Sequence, residues 1–212
     1  MDQIGNAEDF YLDPTARAVM EGLIAVEPLR REQALKELES LEEFQYQPLA
    51  VYLLATRILD PDLAIRYRAV QMLGGLLDFE SEGICLPDRT LKVFTAFTDQ
   101  MEKGQLIKLL EVAAHYLAAE QAIIQILRLC SYAGELLGGI LNDRKIPVEI
   151  RQQAIYFSGE VGFLSTAVSI RNLIQWIEKD RARAKAIPGR KKRVEQEYLY
   201  PLAVAALGKL EG

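Results

Sequence analysis

The residue types that carry most enzyme chemistry are scarce in this chain. It holds one histidine, His115, and two cysteines, Cys85 and Cys130. A single histidine within Val-Ala-Ala-His-Tyr-Leu reads as a packed or capping side chain rather than a general base. Neither cysteine has the basic flanks that lower a thiol pKa. Their apolar neighbours mark them as reduced, buried thiols of a cytoplasmic protein. Two cysteines and one histidine without ligand-like spacing do not make a zinc site. Carboxylates are plentiful, but pairs such as Glu42-Glu43 read as solvated charge on helix faces and turns. Gly74-Gly75 and Gly138-Gly139 fall within helical patterns, not in a loop that cradles phosphate. No catalytic residue, metal or cofactor is expected, and neither is an enzyme.

One polar stretch stands apart. Arg181, Arg183, Lys185, Arg190, Lys191, Lys192 and Arg193 place seven positive charges in 13 residues with no acid among them. The chain as a whole carries a net charge of −5, so the remainder is the more acidic. Such asymmetry points to an anionic partner. Three readings stay open for this run: a solvated loop, a contact for an acidic protein surface, or a site for nucleic acid or another phosphate-bearing ligand. An acidic surface is available on a second copy, because the first 43 residues are strongly acidic. The run lacks the aromatic residues on which single-stranded bases stack.

The elements that position these side chains read as helices throughout. Residues 1–12 are expected to be a flexible arm and 13–212 a single helical-repeat domain. Asp13-Pro14 starts the first helix, since aspartate caps free N–H groups and proline is tolerated in the first turn. The next helix runs from Pro28 to about Glu43. Another follows from Pro48, and Asp60-Pro61-Asp62 turns the chain into its antiparallel partner. Asp88 is expected to cap a helix that Lys103-Gly104 ends. Residues 105–117 form its partner, and 120–141 read as one long helix. Residues 164–180 are helical, 181–193 form a basic linker, and 194–210 the last helix. No run alternates apolar and polar residues between turn signals, so no strand is expected. No stretch is apolar for long enough to span a bilayer.

One helix occurs twice. Ile65-Arg66-Tyr67-Arg68-Ala69-Val70-Gln71-Met72-Leu73-Gly74-Gly75-Leu76 and Ile150-Arg151-Gln152-Gln153-Ala154-Ile155-Tyr156-Phe157-Ser158-Gly159-Glu160-Val161 share the pattern Ile-Arg-x-x-Ala-(Val/Ile)-x-(Met/Phe)-x-Gly-x-(Leu/Val). Fainter echoes lie at Arg31 to Leu35 and at Ala203 to Leu210. A single helical hairpin cannot bury its apolar face alone, so repeated hairpins stack and share a core. Ala69, Gly74, Ala154 and Gly159 are the positions where neighbouring helices approach closely.

The segment from Pro48 to Leu77 resembles a HEAT repeat. Asp60 stands six residues before Arg66, the spacing at which that family sets an aspartate in the turn and an arginine in the second helix. The resemblance implies an all-α fold, an α-solenoid of about five antiparallel helical hairpins. It also implies a polar ladder between repeats and a non-enzymatic scaffold that presents a curved surface to a protein partner. On that basis Tyr67, Arg68, Gln71, Gln152, Gln153 and Tyr156, on second helices, are the candidate partner-binding residues. The basic run 181–193 is the candidate anion-binding site for the alternative nucleic-acid or phosphate-ligand reading. The last helix is apolar almost all round, from Leu199 to Leu207. Three readings stay open for it: an alanine-rich face tolerated in solvent, insertion between other helices, or cover by a second copy as a homodimer.

Overall fold

Proline and aspartate mark the helix starts, and the computed structural model follows them. It describes residues 13–41, 43–78, 86–186 and 194–212, the side chains of 185–186 and 194–197 excepted. The expected arm and Cys85 lie outside the described residues. Among the described residues there are eleven α-helices, four short 3-10 turns and no strand. In chain order the helices are α1 (Pro14–Leu23), α2 (Pro28–Ser40), α3 (Pro48–Thr56), α4 (Leu63–Leu76), α5 (Asp88–Asp99), α6 (Lys103–His115), α7 (Glu120–Arg128), α8 (Ala133–Asn142), α9 (Val148–Val161), α10 (Ala167–Ala186) and α11 (Val194–Glu211). The all-α class stands. The helices group into two compact units, one of residues 1–100 and 118–129, the other of residues 101–117 and 130–212.

Local chemistry explains the starts. Asp13 accepts from Thr15 N at 2.9 Å, and Asp62 from Ala64 N at 2.8 Å. Prolines occupy the first turn of α1, α2 and α3, where their missing N–H has no intrahelical partner to lose. Asp88 is not a cap. The extended Pro87 precedes the helix, and Asp88 is its first residue, where its charge faces the positive end of the helix dipole. Lys103-Gly104 does not end a helix but opens α6, which Gln105 supports by accepting from Glu102 N at 2.7 Å. The expected long helix 120–141 is two helices. α7 stops at Leu129, whose carbonyl takes the hydroxyl of buried Thr98 at 3.0 Å, and the chain turns before α8. Glycine in the left-handed conformation ends α9 at Gly162, φ 84°.

In the first unit the core gathers Leu23, Leu35, Leu38, Phe44, Leu54, Ile58, Leu73 and Phe94, all essentially inaccessible to solvent. Its polar centre is Asp60. Arg31 of α2 donates to both carboxylate oxygens, Nε to Oδ2 at 2.7 Å and Nη2 to Oδ1 at 2.9 Å. Arg57 adds a longer bond at 3.3 Å and Asp62 N one at 3.0 Å. Arg31 and Asp60 are both buried. Burial also pulls the Arg57 guanidinium below its ordinary pKa, against the opposing pull of Asp60.

The arginine has one structural task in both copies of the motif and in the echo at Arg31. Arg31 Nη1 donates to the carbonyls of Ala25 and Val26, in the turn before α2, at 2.9 and 2.6 Å. Arg66 Nη1 donates to the Asp60 carbonyl at 2.8 Å, and Arg151 Nε to the Leu141 carbonyl at 2.9 Å. Each arginine thus satisfies carbonyl groups left open where the preceding helix or turn ends. The small residues also recur in one role. A Cβ on Gly74 would collide with Cβ of Ala122 and lie 2.5 Å from its Cα. In the second unit a Cβ on Gly159 would stand 3.0 Å from Cα of Ala206. The glycines bring α4 onto α7 and α9 onto α11.

The second unit's core holds Leu106, Leu109, Leu137, Phe157, Ile170, Ile177 and Leu199. α11 packs on α9 and α10 through Leu199, Ala203, Ala206 and Leu210, a stripe at helical spacing. Pro201 sits inside this helix, on its outer side. α10 runs to Ala186, so the first part of the expected basic linker is helical.

Candidate functional site

The side of α4 that carries Gln71 and Gly75 faces α7 across a cleft of about 540 Å³ in the first unit. Gly74 and Ala122 close its floor, because their contact holds the two helices at minimum separation. Gln121 and Gln125 of α7 form one wall, and Gln71, Gly75 and Asp78 the other. Gln71 Nε2 donates to the Ala118 carbonyl at 2.6 Å, which pins the side chain. Arg128 Nη1 donates weakly to Gln125 Oε1 at 3.5 Å. The side chain of Gln121 is exposed. Among the described residues the lining contains no lysine, arginine or histidine and no large apolar side chain.

The expected partner-binding residues fall into two sets. Tyr67, Arg68 and Gln71 are half-buried on α4 in the first unit; Gln152, Gln153 and Tyr156 are half-buried on α9 in the second. Arg68 pairs with Glu39 of α2. The Tyr156 ring meets Phe157 edge-on, 5.2 Å between centroids. Of the six, only Gln71 lines the α4–α7 cleft. Sequence reasoning passed over Gln121, Gln125 and Asp78. The signal for the two glutamines was present: they are the polar positions, four apart, among buried Ala122, Ile123, Ile124, Ile126 and Leu127. Which helix they face was not readable from periodicity.

The basic run is divided. Arg181 lies on α10 with its guanidinium 4.1 Å over the ring of Tyr200, a cation–π contact that packs it against α11. The Tyr200 hydroxyl donates to Glu178 at 3.0 Å, and that bond pushes the Tyr200 pKa above its ordinary value. Arg183 is exposed on the same helix. Arg190, Lys191, Lys192 and Arg193 lie outside the described residues, and so does the side chain of Lys185.

The remaining reactive types are accounted for locally. His115 ends α6 with Nδ1 2.8 Å from the Glu111 carbonyl, and Cys130 is buried. No group of three or more His, Cys, Asp or Glu residues is placed to hold a metal ion among the described residues. No described helix is long and apolar enough to cross a membrane. Asp143, before α9, takes Lys103 Nζ at 2.8 Å and Lys145 N at 3.0 Å; the lysine bond, then the backbone bond, hold its carboxyl below the ordinary pKa. Comparisons with known protein families and with curated proteins each find no match.

Proposed function

We propose that this chain is a non-enzymatic scaffold of the HEAT-like α-solenoid type, which presents a curved helical surface to a protein partner. The observation that carries this reading is the recurrence of one packing module. In α4 and α9 the same arginine position holds the preceding turn or helix end, and the same glycine position meets an alanine of a later helix. Modules that agree in both contacts are what a stacked repeat requires. The half-buried polar positions on these helices, Tyr67, Arg68, Gln71, Gln152, Gln153 and Tyr156, are the residues a partner would contact, Arg68 and Gln71 beside the bonds they already make to Glu39 and Ala118. The nucleic-acid or phosphate-ligand reading of the basic run ranks second, because Arg181 is packed on Tyr200.

The test places a photo-crosslinking amino acid at Tyr67 and at Tyr156 of the full chain in its own cells. Discrete protein adducts from either position, absent when the label replaces exposed Tyr132, are expected. Adducts to nucleic acid alone, or none, would overturn the reading. Titration with RNA and DNA at low salt separates the second reading, since phosphate contacts are strongest there.

A further inference from the structure

We infer that the cleft between α4 and α7 binds an extended polypeptide segment through its main chain. This rests on the protein-binding reading above and names the chemistry of the partner at one place. The fit of the described lining carries the ligand class. Among the described residues the lining itself carries no cation, and Arg128 reaches it only through Gln125. Among the described residues the lining carries no large apolar side chain for a lipid or an aromatic ligand to meet. Its volume, about 540 Å³, lies within the range of ligand sites, roughly 300–1,000 Å³.

What the cleft offers is carboxamide. A glutamine carries one donor group and one acceptor, the same pair that a peptide unit presents. The donor bond from Gln71 to the Ala118 carbonyl identifies its nitrogen, so its oxygen is the end left as an acceptor. Gln125 takes Arg128 on its oxygen, so its amide NH2 is the end left as a donor. The two walls therefore present complementary groups, one for a peptide N–H and one for a peptide C=O. The spacing also fits. Gln121 and Gln125 are four residues apart on a helix, a rise of about 6 Å. Alternate residues of an extended chain repeat at about 6.6 Å. Two glutamines on one wall can thus meet two successive peptide groups on the same side of a strand. Gly75 belongs to this arrangement: a Cβ there would meet no described residue within 4 Å. Its lack of a side chain leaves the α4 backbone open to the close approach of another chain.

The test is a selection of displayed, unstructured 12-residue peptides on the full chain, followed by anisotropy titration of the selected peptides. Filling the cleft with Gly75→Leu is expected to weaken binding tenfold or more, and Gln121→Ala/Gln125→Ala to do the same. The double variant decides alone if Gly75→Leu does not fold, as judged by its circular dichroism. Methylating peptide nitrogens one by one is expected to abolish binding at every second position. Side-chain truncations in the same peptide should each cost less than threefold. Peptides that bind the cleft variants as well as the parent, or that tolerate every N-methylation, overturn the proposal, as does a selection that yields no binder. Photo-adducts at Tyr67 or Tyr156 that survive Gly75→Leu would leave the scaffold reading standing while the cleft proposal falls.

Discussion

Two adjacent glycines at the end of α4 are expected to respond to the same substitution with opposite signs. In Gly75→Ala the new methyl meets open space, and alanine is favoured over glycine in a helix by up to about 1 kcal/mol, so the variant gains stability. In Gly74→Ala the same propensity gain is overridden. The new methyl would overlap Cβ of Ala122 and lie 2.5 Å from its Cα, and a backbone atom has no rotamer by which to move aside. α4 and α7 must separate, and overpacking of this kind costs about 1–3 kcal/mol. Since the clash is with backbone, the upper end applies, for a net loss of about 2 kcal/mol. The neighbouring variants should therefore differ by roughly 3 kcal/mol. For a chain of this size each kcal/mol moves the melting point by about 2–4 °C, so the two melts should lie on the order of 9 °C apart. Melting followed by helical circular dichroism, with denaturant titration beside it, reads the difference. A Gly74→Ala variant as stable as Gly75→Ala would refute the close approach of α4 and α7, and with it the packing role assigned to the repeated glycine.

Three further outcomes test other parts of the structure. Gly159→Leu should drive α9 from α11, because Cα of Ala206 stands 3.0 Å from where the first side-chain atom would sit; a loss of at least 2 kcal/mol in denaturant titration is expected from about 1–3 kcal/mol of overpacking. Asp60→Ala should cost about 3–5 kcal/mol by leaving Arg31 buried without its carboxylate, whereas the double change with Arg31→Met should cost less than the sum of the single changes; an additive double-mutant cycle would deny the pair. Asp143 has a folded pKa below its ordinary value of 3.8, so its contribution to stability is complete above that value and is lost as pH falls through the folded pKa. Lys103→Met should raise the carboxyl pKa of Asp143 in an NMR titration, and an unmoved titration would show that Lys103 is not the main cause.

Local signals in the chain were sufficient for the class of fold and for most helix starts. Asp13, Pro28, Pro48 and Asp62 act within a turn of their own position, so their meaning did not depend on the tertiary structure. The repeated glycines were legible for a related reason: glycine inside a helix is costly, and the repetition implied an offset that packing supplies. Where the reading failed, a distant group had decided the local outcome. The helix expected over 120–141 is interrupted at a carbonyl held by Thr98, 31 residues away in sequence. The basic linker is partly helical where Arg181 reaches the ring of Tyr200. The cleft was invisible because Gln71 and the pair Gln121 and Gln125 belong to helices whose adjacency no periodicity encodes.

The arginine of the motif meets different acceptors at its different positions. The resemblance to a HEAT repeat implied that Asp60 and Arg66 belong to a ladder between repeats. Arg66 binds the Asp60 main-chain carbonyl, within its own hairpin. The Asp60 carboxylate takes Arg31, from α2 and from a fainter echo of the motif. Arg31 thus performs both tasks at once: it closes its own turn through Ala25 and Val26, and it reaches forward to the next turn through Asp60. A guanidinium can do this because its five N–H groups fan out in one plane, toward two acceptors on different segments. Lysine at the same position would keep the charge but lose the fork. In the second unit Asp143 takes Lys103, while Arg151 holds the Leu141 carbonyl. The two turns thus differ in the partner of their carboxylate, a guanidinium for Asp60 and an ammonium for Asp143.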